Sequence, residues 1–180
     1  MLDASGKPGR AHVPTMTEPT GAWSRAELDA FLDSAVIPVR LGCHRPDGGL
    51  WMLSLWYRRE GERLQCATGA SADVVEYLRA DGAVAFEVST NTPPYMGVRG
   101  SGTATVEPDE DKTVIRALVE RYLGRTESAM ARRLLAEDRE EVRITVEPER
   151  LFTWDFTERM REVSAGTPAA AGDPASPRRE

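Results

Sequence analysis

The residues best placed to do chemistry lie between Leu64 and Val88, LQCATGASADVVEYLRADGAVAFEV. An apolar run stops at Thr68-Gly69, crosses a small-residue turn at Ala70-Ser71, becomes helical from Ala72 to Arg79, breaks at Asp81-Gly82 and resumes as a strand from Ala83 to Val88. A helix start presents unpaired backbone N–H groups and the positive end of the helix dipole, so an anionic group can dock there without a dedicated cation. Ser71 suits the N-cap and Asp73 the first turn, while Val74, Val75 and Leu78 fall on one buried face. The same pattern also describes a short helix packed over a sheet with nothing bound. Elsewhere the sequence shows no Ser/His/Asp set, no paired carboxylates in a recognisable frame and no metal-ligand spacing. His44 falls in a turn and reads as exposed, and Cys43 and Cys66 read as reduced core or strand residues.

The elements that must position this stretch can be taken in order. Ser24 and Glu27 have the capping-box spacing, and Leu28, Phe31 and Leu32 follow on one helical face that ends before Pro38. Ile37 to Cys43 is β-prone, His44 to Gly49 has the chemistry of a hairpin turn, and Leu50 to Tyr57 returns as a nearly continuous apolar strand. A strand of that kind needs cover on both faces, from a barrel, a dimer interface or a bound ring. Ser89 to Tyr95 is a rigid loop holding Pro93 and Pro94, followed by a glycine-containing strand from Gly97 to Val106. A helical region opens at Pro108-Asp109, with an apolar stripe through Val114, Ile115, Leu118, Val119 and Tyr122 closed by Gly124, and a second segment follows through Met130 and Leu135. Two strands, Glu141 to Val146 and Leu151 to Phe156, are expected to turn at Glu147 to Arg150. This order lacks the βαβ alternation of a doubly wound sheet, and predicts a mainly β, antiparallel barrel with peripheral helices.

The 180 residues, 41% hydrophobic and 29% charged, suit one globular domain, expected over residues 23–160. Residues 1–22 read as a flexible arm and 161–180 as a disordered tail, because neither holds enough large apolar side chains to offset ordering. A net charge of −6 argues against nucleic acid as the main partner. No run approaches transmembrane length and no secretory signal is evident, so the expectation is a cytoplasmic protein without a membrane role.

Four pieces in the right order resemble the pyridoxamine 5'-phosphate oxidase-like split-barrel family of FMN- and deazaflavin-dependent oxidoreductases. They are Arg40 to Gly48 with Leu53 to Tyr57, Leu64 to Ala85, Pro93 to Ala104, and Val142 to Ile144 with Pro148 to Arg150 and Trp154 to Phe156. The resemblance implies a split, FMN-binding-like antiparallel β-barrel and a homodimer whose groove holds FMN or the deazaflavin coenzyme F-420, acting on a small, planar substrate. It implies cofactor contacts at Ser54, Leu55, Trp56, Thr68, Gly69, Ser71 and Arg99. Arg99 reads equally as a strand-surface arginine, and Trp56 and Trp154 as core or interface aromatics. No side-chain acid–base pair is needed where the cofactor carries the chemistry. One departure matters: Ala72, Asp73 and Val74 stand where such families carry Ser and Lys or Arg, so a phosphate lacks its charge-assisted partner there. Arg79, Arg99 or an arginine of a second chain could substitute, and Val74→Lys would restore the cation if Val74 is not core. A non-catalytic dimeric binding protein for haem, a bilin or a lipid is the alternative from another class.

Overall fold

The computed structural model describes residues 18–161; the rest of the expected arm and tail lies outside the described residues. The elements are β1 (Thr20–Gly21), α1 (Arg25–Ser34), β2 (Val39–His44), β3 (Leu50–Leu55), β4 (Tyr57–Glu60), β5 (Arg63–Gly69), α2 (Asp73–Ala80), β6 (Ala83–Ser89), β7 (Met96–Pro108), α3 (Thr113–Leu123), α4 (Ala129–Leu134) and β8 (Glu141–Asp155). All but β1 run in the order β3-β2-β6-β7-β8-β5-β4, antiparallel throughout, and β1 adds to β8 in parallel. The two edge strands, β3 and β4, are consecutive in the chain and separated only by Trp56. The sheet is therefore rolled until its edges nearly meet, giving a split β-barrel with four peripheral helices among the described residues.

That break corrects the expectation of one strand from Leu50 to Tyr57. The pairing of β3 with β2 ends at Val39↔Leu55, just after Pro38, which has no N–H to offer a further rung, and Tyr57 instead pairs with Cys66 of β5. Nor do the described residues cover both faces of β3: Leu50 is 82% and Met52 71% exposed.

The closing strands depart from expectation as well. β8 is one continuous strand of 15 residues beside the 13 of β7, with no hairpin at Glu147 to Arg150. The register moves from Ser101↔Arg150 to Gly102↔Pro148, so Glu149 is squeezed out as a bulge next to a proline that cannot donate to a ladder. Gly102 permits the approach, since a Cβ there would lie 2.1 Å from the Glu147 carbonyl oxygen.

Local signals set the helices. Ser24 and Glu27 form the expected capping box, and the Ser24 N–H and hydroxyl, both donating to the Glu27 carboxylate, hold that carboxyl below its ordinary range. α3 starts later than expected, at Thr113, because the buried carboxylate of Asp109 accepts the N–H groups of Val114 and Ile115 at 3.1 and 3.0 Å. Gly124 closes it with φ +69°. α2 runs from Asp73 to Ala80 with Ala72 as its N-cap and no side-chain cap, so Ser71 does not take the capping role its type suggested. Val74, Val75 and Leu78 of α2, Leu28 and Leu32 of α1, and Leu41, Tyr57, Leu64, Cys66, Val88, Val98 and Ile144 of the strands form the core. Complete burial pushes the Cys66 thiol up to about 12. No described helix is long and apolar enough to cross a membrane.

The arm is docked from Thr20 onward, earlier than its composition suggested. Thr153, 1% exposed, needs hydrogen-bond partners, and its hydroxyl accepts from the N–H of Trp23 (2.9 Å) and donates to the Thr20 carbonyl (3.2 Å). Trp23 then packs on Phe31 with ring centroids 4.7 Å apart. Removing residues 18–22 in addition to 1–17 is expected to cost about 1–3 kcal/mol, by stripping a partner from a buried hydroxyl, and so to lower the melting midpoint by several degrees in a thermal scan. Val74 is 3% exposed. Val74→Lys therefore buries a cation in the core rather than restoring a phosphate contact, with an expected loss of about 3 kcal/mol or more in urea denaturation.

Candidate functional site

Where the sheet's edges approach, the end of β3 lies beside the end of β5, and α3 and α4 cover the seam. The groove there, about 240 Å³, is lined by Ser54, Leu55 and Trp56 at the β3–β4 junction and Ala67 and Thr68 of β5. Ile115 and Leu118 of α3, Met130 and Leu134 of α4, and Arg139 and Glu141 complete it. Trp56 is held rigidly: its ring stacks on Tyr122 at 5.0 Å and an interplanar angle of 7°. The Tyr122 hydroxyl donates to the Ile37 carbonyl at 3.0 Å and accepts from the Tyr57 N–H at 3.2 Å. As the sheet's edge strand, β3 has no strand partner among the described residues on the side away from β2, so every second residue along it turns its main-chain polar groups away from the ladder.

The polar end of the groove is made by Arg139 and Glu141, two residues that the sequence did not single out. Their side chains form an ion pair in which Arg139 Nε donates to Glu141 Oε1. The carboxylate is fully enclosed and the guanidinium is 37% exposed. Glu141 lies opposite Gly69 in the β5–β8 ladder, and a Cβ on Gly69 would sit 3.3 Å from Arg139 Nη2. The glycine therefore keeps the main chain open beside the guanidinium. In the sequence Ala136-Glu137-Asp138-Arg139-Glu140-Glu141 looks like a solvated charged run, and the Gly69↔Glu141 pairing reveals which of its residues lie beside β5 at the groove.

Of the seven expected contacts, Ser54, Leu55, Trp56 and Thr68 share this groove, and Gly69 borders it through Arg139. Ser71 lies exposed in the turn before α2 and is not part of the lining. Arg99 is elsewhere. It pairs across the ladder with Glu87 and Phe152 and lines a separate groove of about 730 Å³ on the outer face of the sheet, with Arg40, Met52 and Arg150. There its guanidinium lies over Phe152 at 4.8 Å and near Trp154 at 5.8 Å. Arg79, in the last turn of α2, does not line the seam groove either, and among the described residues the cation in its lining, beside Gly69, is Arg139.

The residues present suit an elongated, partly polar ligand better than a metal. No group of three metal-ligating side chains is gathered among the described residues. His44 pairs with Asp81 at 3.2 Å, away from the groove, and the bonds to Asp81 from the Ala83 N–H and from His44 hold that carboxyl below its ordinary range. A planar ring could lie against Leu55 and Trp56, with a polar chain running past Thr68 toward Arg139 and Glu141.

No family model matches the chain, and no curated protein matches it. Solved structures do. A conserved hypothetical protein, Rv2991 from Mycobacterium tuberculosis, is 23% identical with a TM-score of 0.63, over 89% of this chain and 100% of that one. An F420 reductase is 23% identical with a TM-score of 0.59, over 68% of this chain and 94% of that one. A Listeria innocua protein named for pyridoxamine 5'-phosphate oxidase is 18% identical with a TM-score of 0.54, over 71% and 95%. A FAD-binding protein from Mesorhizobium loti and the haem storage protein HutZ from Vibrio cholerae share the likeness, at 18% and 15% identity. On the strength of its rolled antiparallel sheet and these likenesses, the chain has the split β-barrel fold of the pyridoxamine 5'-phosphate oxidase-like proteins.

Proposed function

We propose that this chain is one subunit of a homodimeric oxidoreductase that holds a flavin-type ring in the seam groove and acts on a small, planar substrate. The observation that carries the reading is the gathering of Ser54, Leu55, Trp56 and Thr68 around one groove with a guanidinium at its end. A flavin or deazaflavin supplies hydride chemistry when bound. The chain's own tasks are then to hold and orient the ring. Main-chain groups on the open edge of β3 can bond the polar edge of a ring, and Trp56, stacked on Tyr122, offers it a preorganised aromatic wall. FMN is the first candidate. A deazaflavin is the second, favoured by the name of the F420 reductase of like fold.

Dimerisation is part of the proposal. About 240 Å³ is less than the roughly 300–1,000 Å³ common for cofactor pockets, so a second chain is expected to complete the walls. The outer face of the sheet supplies a contact surface, with Leu50, Met52 and Phe152 exposed around a floor of Gly42 and Ala85. Light scattering at micromolar concentration should return twice the chain mass, with on the order of 2,000 Å² buried in the pair; a monomer mass would contradict it.

Ring binding is tested by titrating the protein with FMN, a deazaflavin and haem while following absorbance and fluorescence. A flavin-type ring should bind, and Gly69→Leu, which fills the groove beside Arg139, should weaken it about tenfold or more without loss of the native fold. Binding of haem alone would favour the non-catalytic binding protein.

A further inference from the structure

The flavin-type reading leaves Glu141 without a task. Its side chain is 0% exposed, yet it lines the groove. One carboxylate oxygen accepts from Arg139, and the other, Oε2, has no hydrogen-bond donor among the described residues. A buried carboxylate oxygen without a donor is costly, and a donor from the groove reaches it as the partly exposed Arg139 side chain beside it shifts. Beside it the guanidinium of Arg139, partly exposed, has N–H groups to give. Acceptor and donor thus stand side by side at one end of a groove that also holds the hydroxyls of Ser54 and Thr68.

A ligand hydroxyl satisfies both groups at once, donating to Glu141 and accepting from Arg139. A phosphate dianion does not. Its oxygens can only accept, they would face the carboxylate, and the arginine they require is already paired. Farther along, the start of α2 offers no compensation, because it opens without a side-chain cap and with Asp73 and Glu76 in its first turn.

We propose that Glu141 is the hydrogen-bond acceptor for a hydroxyl-bearing chain of the ligand, and that the Glu141–Arg139 pair makes the groove select a polyhydroxylated chain over a terminal phosphate. The proposal rests on the seam groove being the ligand site and specifies which part of a flavin-type molecule it reads. The wild-type protein is titrated, by fluorescence, with riboflavin, with FMN and with lumiflavin, which has the ring but no hydroxylated chain. Riboflavin should bind about tenfold or more tighter than lumiflavin, and FMN no tighter than riboflavin. In Glu141→Gln, riboflavin should weaken about tenfold and FMN by less, because the released Arg139 becomes free to meet its phosphate. FMN binding tenfold tighter than riboflavin in the wild type, or a riboflavin-to-lumiflavin ratio unchanged in a folded Glu141→Gln protein, would overturn the proposal. The wild-type comparison stands even if that variant does not fold. Ribitol and inorganic phosphate, followed by ligand-observed NMR, separate the two claims. Ribitol bound and phosphate not, with no ring bound, removes the flavin reading and keeps the role of Glu141. A ring bound without regard to its chain does the reverse, and the binding of neither ribitol nor riboflavin overturns the role of Glu141.

Discussion

Joining the two edge strands of one sheet through a single residue is the constraint on which the rest of this structure depends. Consecutive Cα atoms lie about 3.8 Å apart, so β3 and β4 at opposite ends of the strand order cannot be far apart when only Trp56 lies between them. The sheet must roll, and the rolling leaves a seam. Aromatic and guanidinium groups fasten that seam from outside. The Tyr57 hydroxyl donates to the Leu32 carbonyl at 2.9 Å, and Tyr122 ties Trp56 and Ile37 to α3. Arg121 donates to the carbonyls of Leu32, Asp33 and Ala35, each at 2.8 Å, answering the unpaired carbonyls at the end of α1. Burial pushes the Tyr57 phenol upward, so it remains a hydrogen-bond donor at any working pH.

The seam groove and the outer groove have different physical characters. The outer face is broad, floored by small residues and walled by Met52 and Phe152, with arginines at its margins. Such a surface suits a second protein chain. The seam groove is narrow, apolar along α3 and α4, and polar at one end where the Arg139–Glu141 pair sits. A half-enclosed ion pair adds little to stability once desolvation is counted, and in the proposed reading its part is what it presents to a ligand. The absence of a cation at Ala72-Asp73-Val74 is thereby recast. The cation near Gly69 is instead Arg139, in the connection between α4 and β8, and it arrives with its own counter-charge.

Much of the architecture could be read from residue types, because those signals are local. The Ser24–Glu27 capping box, the turn at Gly48-Gly49, the buried face of α2 and the glycine at the end of α3 each report backbone needs within a few residues. Three failures share a cause. Leu50 to Tyr57 split because β2 ran out of partners at Pro38, β8 stayed whole because Gly102 let Glu147 come close, and the arm docked because Thr153 was left buried. Each was decided by a strand distant in sequence. The site divides in the same way. Ser54 to Trp56 and Thr68-Gly69 sit in stretches whose patterns stand out, whereas Arg139 and Glu141 are indistinguishable from solvated charge until the β5–β8 register is known, and Arg99 is sent to another face by its own register.

The central claim is that a flavin-type ring lies in the seam and not on the outer face of the sheet. A crystal structure of the protein grown with riboflavin tests this most directly. The account predicts the ring against Leu55 and Trp56, with its hydroxylated chain within hydrogen-bond distance of Glu141 and Arg139. A ring found beside Arg99 and Phe152, with the seam groove unchanged, would contradict it.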